Sequence, residues 1–311
     1  MNLNKDKNFI SFIVYGSKHI QHTIDFLNKI DEFCCNFFEK YEFIVLNDDY
    51  YTDEQVNSLQ SLSFHNSSQL NIIKMSYHQG LEKSMNAGVD FAIGDYVFEF
   101  DTTEIDYELE TITNAYHICL NGADIVSASN GKNRHLSSKL FYSVFNRNSK
   151  NQYKISSNSF FLLSRRAINR LNSMSLSIPY RKAVYSNCGL RFESYIYSPI
   201  KKKVSDESKN DKKAVIADSL ILYTDVFFKI GLVFTIIMTL LSIFSLTYTL
   251  VIFFTKNPTE GWTTTMLLIS IGFTAIFMFM CVILVYLKII INLNFQKQKY
   301  LIESIKKGNK E

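Results

Sequence analysis

Acidic side chains are missing from a long stretch of this 311-residue chain: between Ile125 and Phe192 there are twelve Lys or Arg and no Asp or Glu. Such a stretch repels cations and is suited to meet anions such as phosphates and lipid head groups. No recognition motif for nucleic acid accompanies the charge, and the stretch leads toward apolar sequence, so nucleic acid is the weaker reading and none is expected as a partner. Cysteine offers little chemistry either. Cys34, Cys35, Cys119, Cys188 and Cys281 show no CxxC and no Cys/His metal spacing, which leaves them to packing in a reducing compartment. Met1 to Lys7 is polar, and the apolar run after it is too short and too interrupted for a signal peptide. No internal repeat is present.

Charge of either sign is absent from Ile230 to Phe254 and again from Gly261 to Leu287. Each run exceeds the roughly 20 residues that cross a bilayer, so two spans joined by a short loop are expected. Lysines decide the orientation. Lys201, Lys202, Lys203, Lys209, Lys212, Lys213 and Lys229 precede the hairpin, and Lys288, Lys297, Lys299, Lys306 and Lys307 follow it, with Lys256 alone between the spans. By the positive-inside rule a two-pass membrane protein with both termini cytoplasmic is expected. Gly231, Ser242, Ser245, Ser270, Gly272 and Ala275 are small enough to let the spans pack on each other or on a neighbouring subunit, so a homo-oligomer stays open.

What the N-terminal two-thirds does contain is alternation. Strands are predicted over Asn8 to Tyr15, Glu42 to Leu46, Leu70 to Met75, Asp95 to Phe100, Ala123 to Ala128 and Phe160 to Leu163. Helices are predicted between them over Ile20 to Phe38, Thr52 to Leu62, Leu81 to Ala92 and Tyr107 to Asn121, with another over Ser164 to Asn172. Thr52 and Gln55 have the spacing of a capping box. Alternation of this kind predicts a mainly parallel sheet covered by helices. Two strands stop in acids: the second in Asn47-Asp48-Asp49, the fourth in Asp101. In open α/β sheets ligands bind at the carboxyl ends of strands, so these carboxylates are the first candidates for chemistry. Leu136 to Asn146 has Leu140, Phe141, Val144 and Phe145 on one side, with Arg134, Lys139 and Arg147 around it, the pattern of an interfacial helix. Val204 to Lys213 reads as a polar linker.

In chain order, Asn47-Asp48-Asp49, then HQGLEKSMNAGVDFAIGDYVFEFD ending at Asp101, then IDYELETI, NRHLSSKLFYSVFN, FFLLSRRAINRL and Asp206-Glu207-Ser208-Lys209 stand ahead of the paired apolar runs. With these motifs the chain resembles family 2 glycosyltransferases of the GT-A fold, especially the membrane-attached polyprenyl-phosphate sugar transferases related to dolichyl-phosphate mannose synthase. The resemblance implies an α/β fold with a Rossmann-like, mostly parallel sheet and flanking helices, followed by a C-terminal two-helix transmembrane hairpin. It divides the chain into a cytoplasmic transferase domain (1–200), a basic juxtamembrane linker (201–225), two transmembrane helices (226–292) and a basic cytoplasmic tail (293–311).

The implied activity is transfer of a sugar from a UDP- or GDP-linked donor to a polyprenyl phosphate. Asp101 and Glu104 would be catalytic, and Asp48, Asp49, Lys83, Asp101 and Thr103 would bind the nucleotide sugar, with Asp48 on the base. Asp101 would also hold Mg²⁺ or Mn²⁺ against the diphosphate. Arg134, Lys139, Arg147 and Lys209 would meet the lipid phosphate. The sequence departs from the family pattern where a second aspartate is usual: that position is Thr103. Glu104 or Asp106 would have to substitute. The acidic pair before FFLLSRR falls on Ser156 and Ser159. These departures motivate a second reading, a non-catalytic transferase-like protein that binds a partner in glycoconjugate assembly.

Overall fold

The computed structural model of the chain describes residues 5–131, 153, 158–174, 181–200, 226–255, 260–294 and 300–308. It divides into two compact units, Met1–Ala217 with Lys297–Glu311, and Asp218–Gln296.

The first unit is built on an eight-stranded sheet in the order β7-β5-β6-β4-β1-β2-β3-β8. Its centre is parallel: β1 (Asp6–Tyr15) lies between β2 (Phe38–Asn47) and β4 (Tyr96–Phe100), and β2 also pairs with β3 (Gln69–Met75). β6 (Phe160–Ser164) runs antiparallel to β4 and to β5 (Ile125–Ser129), and β7 (Phe192–Ile196) pairs parallel with β5. The mostly parallel sheet with flanking helices is the fold expected from the sequence.

Register explains the core. Phe12 of β1 stands opposite Phe43 of β2 and Phe98 of β4, so residues of period two place three rings in one row, with centroids 5.5 Å and 5.2 Å from Phe12. Helix α1 (Ile20–Cys34) covers this face with Phe26, whose ring meets Phe100 at 5.0 Å. On the other face, α3 (Leu81–Phe91) lies close to the sheet. A Cβ at Gly88 would stand 2.6 Å from Ile13 Cγ2, so only glycine permits this approach. Helix α2 (Asp53–Gln60) opens with the expected capping box of Thr52 and Gln55. Helix α4 (Glu110–Leu120) connects β4 to β5, and α5 (Arg165–Ser173) follows β6, capped by Ser164.

The expected tail at 293–311 is more than a tail. Ile302–Lys307 forms β8, antiparallel to β3, with Ile305 opposite Ile73. Lys74 pairs with Glu303 at 3.0 Å and Lys306 with Asp53 at 3.1 Å, and Gln60 Nε2 donates to the Lys307 carbonyl at 2.7 Å. Six residues with two isoleucines are too short a pattern to distinguish from a charged tail.

The second unit is a pair of helices, α7 (Val226–Thr255) and α8 (Trp262–Asn294). Gly231–Thr255 and Trp262–Leu287 are long and apolar enough to cross a bilayer, and only 6% of each apolar window is buried, unlike the core helix of a soluble domain. The small residues do bring the helices together: Ser245 Oγ lies 3.0 Å from Ser270 Oγ, and a Cβ at Gly231 would meet Leu284 at 3.2 Å. The expected interfacial helix at 136–146 and the polar linker at 204–213 lie outside the described residues.

Candidate active site

Two polar clusters form where the central parallel strands end. The first is at the end of β2. Asn47 Oδ1 accepts the backbone N–H groups of Tyr50 and Tyr51 at 2.9 and 3.0 Å, an Asn-anchored turn that places Asp49 at φ 65°. Asp48 is fully buried inside it. Its carboxylate accepts the Tyr15 hydroxyl and the N–H groups of Gln79 and Gly80, each at 2.8 Å, and lies 2.9 Å from His78 Nδ1. Gly80 takes φ 85°, a conformation that glycine adopts without strain. Burial, with Asp48 alongside, pushes the Tyr15 phenol far above its usual range, so it remains a donor.

Asp48 was expected on the base of the donor. The geometry gives its carboxylate four partners from two segments, β1 and residues 78–80, which ties β1, β2 and the approach to α3 together. Asp49 is exposed beside it, Tyr50 is half-buried, and the Tyr50 ring meets those of Tyr15 and His78 at 6.1 and 5.5 Å.

The second cluster is ionic and centres on Arg181. In β4, Phe98 and Phe100 face the aromatic core, so Glu99 and Asp101, two residues apart, share the opposite face. Glu82 arrives from the first turn of α3. Arg181 opens the short helix α6 (Arg181–Tyr185) and is fully buried among all three acids. Its backbone N–H and Nε both reach Glu82 Oε2, at 2.8 and 3.1 Å; Nη1 lies 3.0 Å from Glu99 Oε1; and Nη2 donates to Asp101 Oδ1 at 2.7 Å. The flat guanidinium fork, always charged, is suited to three carboxylates at once. Lys182 Nζ sits 3.3 Å from the other Asp101 oxygen and 5.9 Å from the Phe161 ring centroid.

The electrostatics divide the acids. Burial pushes Glu99 up to about 7, since Arg181 only partly offsets desolvation and the charge of Asp101 adds to it. The Tyr185 hydroxyl donates to Glu99 Oε1 at 2.9 Å. Burial acts on Asp101 in the same sense, but Lys182 and Arg181 outweigh it and hold that carboxyl at about 2. Asp101 is therefore ionised at any working pH, while Glu99 can keep its proton near neutrality.

The remaining expected site residues are placed as follows. Thr103 and Glu104 are half-buried just beyond Asp101, and the Glu104 N–H donates to Thr102 Oγ1 at 3.2 Å. Asp106 belongs to a separate network: it accepts from Tyr197 at 2.7 Å, Ser159 at 3.0 Å and Asn130 at 3.1 Å. Ser159, where an acid is usual in the family, thus serves to hold Asp106. Lys83 is exposed on α3, whereas its neighbour Glu82 is the residue that enters the cluster. Arg134, Lys139, Arg147 and Lys209 lie outside the described residues.

A divalent cation was expected on Asp101, and the donor set can be tested against one. Both Asp101 oxygens face cations, Thr103 supplies no carboxylate, and Asp106 is engaged elsewhere. Among the described residues no three His, Cys, Asp or Glu converge to hold a metal. In this arrangement the residues do not fit Mg²⁺ or Mn²⁺, which require several oxygen ligands. Glu82, Glu99, Arg181, Lys182 and Tyr185 were not singled out from the sequence. A signal for them exists: a glutamate inside a buried strand needs a partner, and the acid-free stretch from Ile125 to Phe192 holds the cations to supply it.

Comparison with known proteins completes the description. Residues 14–171 match the family model described as "Glycosyl transferase family 2". No curated protein matches the sequence. Among solved structures, a mannosyltransferase from Pyrobaculum calidifontis in complex with GDP-Man and Mn²⁺ is similar over 70% of this chain and 63% of its own, at 13% identity and a TM-score of 0.46. S. aureus TarS (1–349) is similar over 71% and 66%, at 16% identity and a TM-score of 0.42. Glucosyl-3-phosphoglycerate synthase from Mycobacterium tuberculosis, in complex with Mn²⁺, UDP and phosphoglyceric acid, is similar over 68% and 78%, at 11% identity and a TM-score of 0.42. The chain thus spans less than two thirds of the length of the first two.

Proposed function

The chain belongs to glycosyl transferase family 2, and we propose that it moves a sugar from a UDP- or GDP-linked donor to a polyprenyl phosphate at the cytoplasmic face of a membrane. The observation that supports a membrane-held acceptor is connectivity: a transferase sheet is interrupted in sequence by two membrane-length apolar helices and then completed by β8. A chain that leaves a folded domain for the bilayer and returns to the same sheet crosses an even number of times. This supports a hairpin with both flanks on one side, and the lysine distribution is in keeping with that reading.

Division of labour follows from the two clusters. Asp48 fixes the loop, and Tyr50, His78 and Asp49 at its rim meet the base. Lys182, oriented by Asp101 and backed by Arg181, meets the diphosphate. An oxygen of the lipid phosphate attacks the anomeric carbon as the bond from that carbon to the diphosphate oxygen breaks, and the nucleoside diphosphate departs with the electron pair. A phosphomonoester has its second pKa near roughly 6, so the nucleophile is already dianionic at neutral pH and no general base is required. Ser159 in place of an acid is compatible with that. Arg134, Lys139, Arg147 and Lys209 are the candidates to hold the lipid phosphate.

The test is incubation of the full chain with radiolabelled UDP- or GDP-sugars and undecaprenyl phosphate. Labelled lipid is expected. Its absence with every common donor, while nucleotide still binds, would instead favour a non-catalytic binding protein, the reading to which the Thr103 and Ser159 departures point.

A further inference from the structure

We propose that Arg181 and Lys182, anchored on Asp101, replace the divalent cation in this chain, so that the donor diphosphate is bound without Mg²⁺ or Mn²⁺ and Lys182 Nζ is the cation that meets it. This rests on the donor-binding reading above and concerns how the same site works.

The geometry makes a division between buried and presented charge. Arg181 is enclosed, with its guanidinium spread over Glu82, Glu99 and Asp101. At the solvent side of the cluster, Asp101, 13% exposed, and Lys182, 11% exposed, emerge among the described residues. Asp101 would be a poor metal ligand here, because a cation approaching it must displace or sit beside two positive groups within 3.3 Å of its oxygens. Lys182 supplies what a metal otherwise supplies, positive charge fixed at the carboxyl end of β4 in a partly dry site, where such charge stabilises a developing diphosphate without reorganisation, while Arg181 behind it offsets the charge of Asp101. Asp101 then orients the cations rather than ligating a metal. Thr103 fits this assignment, since a neutral side chain two residues beyond Asp101 adds no negative charge there.

The experiment uses the full chain in detergent and UDP and GDP as probes, with binding measured by calorimetry in EDTA and again in Mn²⁺, and Mn²⁺ alone titrated by electron paramagnetic resonance. Affinity in EDTA is expected within about twofold of that in Mn²⁺, with no saturable Mn²⁺ site of its own. Because Arg181→Met endangers the fold, Lys182→Met carries the residue test: a tenfold or greater loss of nucleotide affinity, largely restored in Lys182→Arg. Nucleotide binding that rises tenfold or more with Mn²⁺ and loses that rise in Asp101→Asn would overturn the proposal and leave the donor-binding reading standing. Failure of both nucleotides to bind under either condition would overturn both.

Discussion

Arg181 Nη1 lies 3.0 Å from Glu99 Oε1, and neither side chain reaches solvent. The pair joins a helix of the basic stretch to a central strand, and it sits behind the residue at which a metal was expected. Breaking a buried pair on one side costs about 3–5 kcal/mol, because it leaves charge without a partner. Arg181→Met is therefore expected to lower the thermal midpoint of the full chain strongly. The double variant Arg181→Met/Glu99→Gln should recover part of the loss. Equal midpoints for the single and double variants would remove the coupling.

Protonation of the cluster gives a pH signature. Glu99 has a folded pKa near 7 against an ordinary value of 4.5, so the folded state holds the extra proton between those limits. Its contribution to stability is full below the lower value and lost as pH rises through the upper one. Asp101 runs the other way: with a folded value near 2 against 3.8, its contribution is present above 3.8 and lost as pH falls toward 2. Glu99→Gln should flatten the decline of the thermal midpoint between about pH 4.5 and 7. A wild-type slope retained in that variant would contradict the assignment.

Asp48 and Tyr50 separate support from contact. Asp48→Ala orphans the N–H groups of Gln79 and Gly80, which costs about 1–3 kcal/mol of stability, and should weaken UDP and GDP binding together. Tyr50→Ala removes a half-buried ring at the rim and should weaken nucleotide binding several-fold with a smaller change in stability. Unchanged binding in Tyr50→Ala would move the base elsewhere.

Gly88 tests the packing of α3. Its added Cβ would meet Ile13 Cγ2 at 2.6 Å, so Gly88→Ala should cost about 1–3 kcal/mol by overpacking. Ile13→Ala in the same chain removes Cγ2, the atom of the clash, and the two substitutions should be less harmful together than their sum. Strict additivity in scanning calorimetry would show that the helix shifts instead.

The fold was largely legible because its signals are local. The alternation of β1 to β4 with α1 to α3, the capping box of Thr52 and the two apolar runs are each written within a few neighbouring residues. The site was legible in part. Asp48 and Asp101 were marked by their position at strand ends, but their partners come from far along the chain: Gly80 is 32 residues from Asp48, and Arg181 is 80 from Asp101. A carboxylate's role depends on what closes over it. The sequence places Asp101 at the end of β4 but does not say that a guanidinium will occupy it.

β8 has a consequence for biosynthesis. The outer edge of β3 is completed by residues made long after it, since Met75 pairs with Ile302 only when both apolar helices have been synthesised. At roughly 5–20 residues per second, translation leaves that edge open for on the order of ten to forty seconds. An open strand edge is a template for pairing with other chains. The nascent domain must therefore be kept apart from its neighbours until the hairpin has emerged and the last strand has closed the sheet.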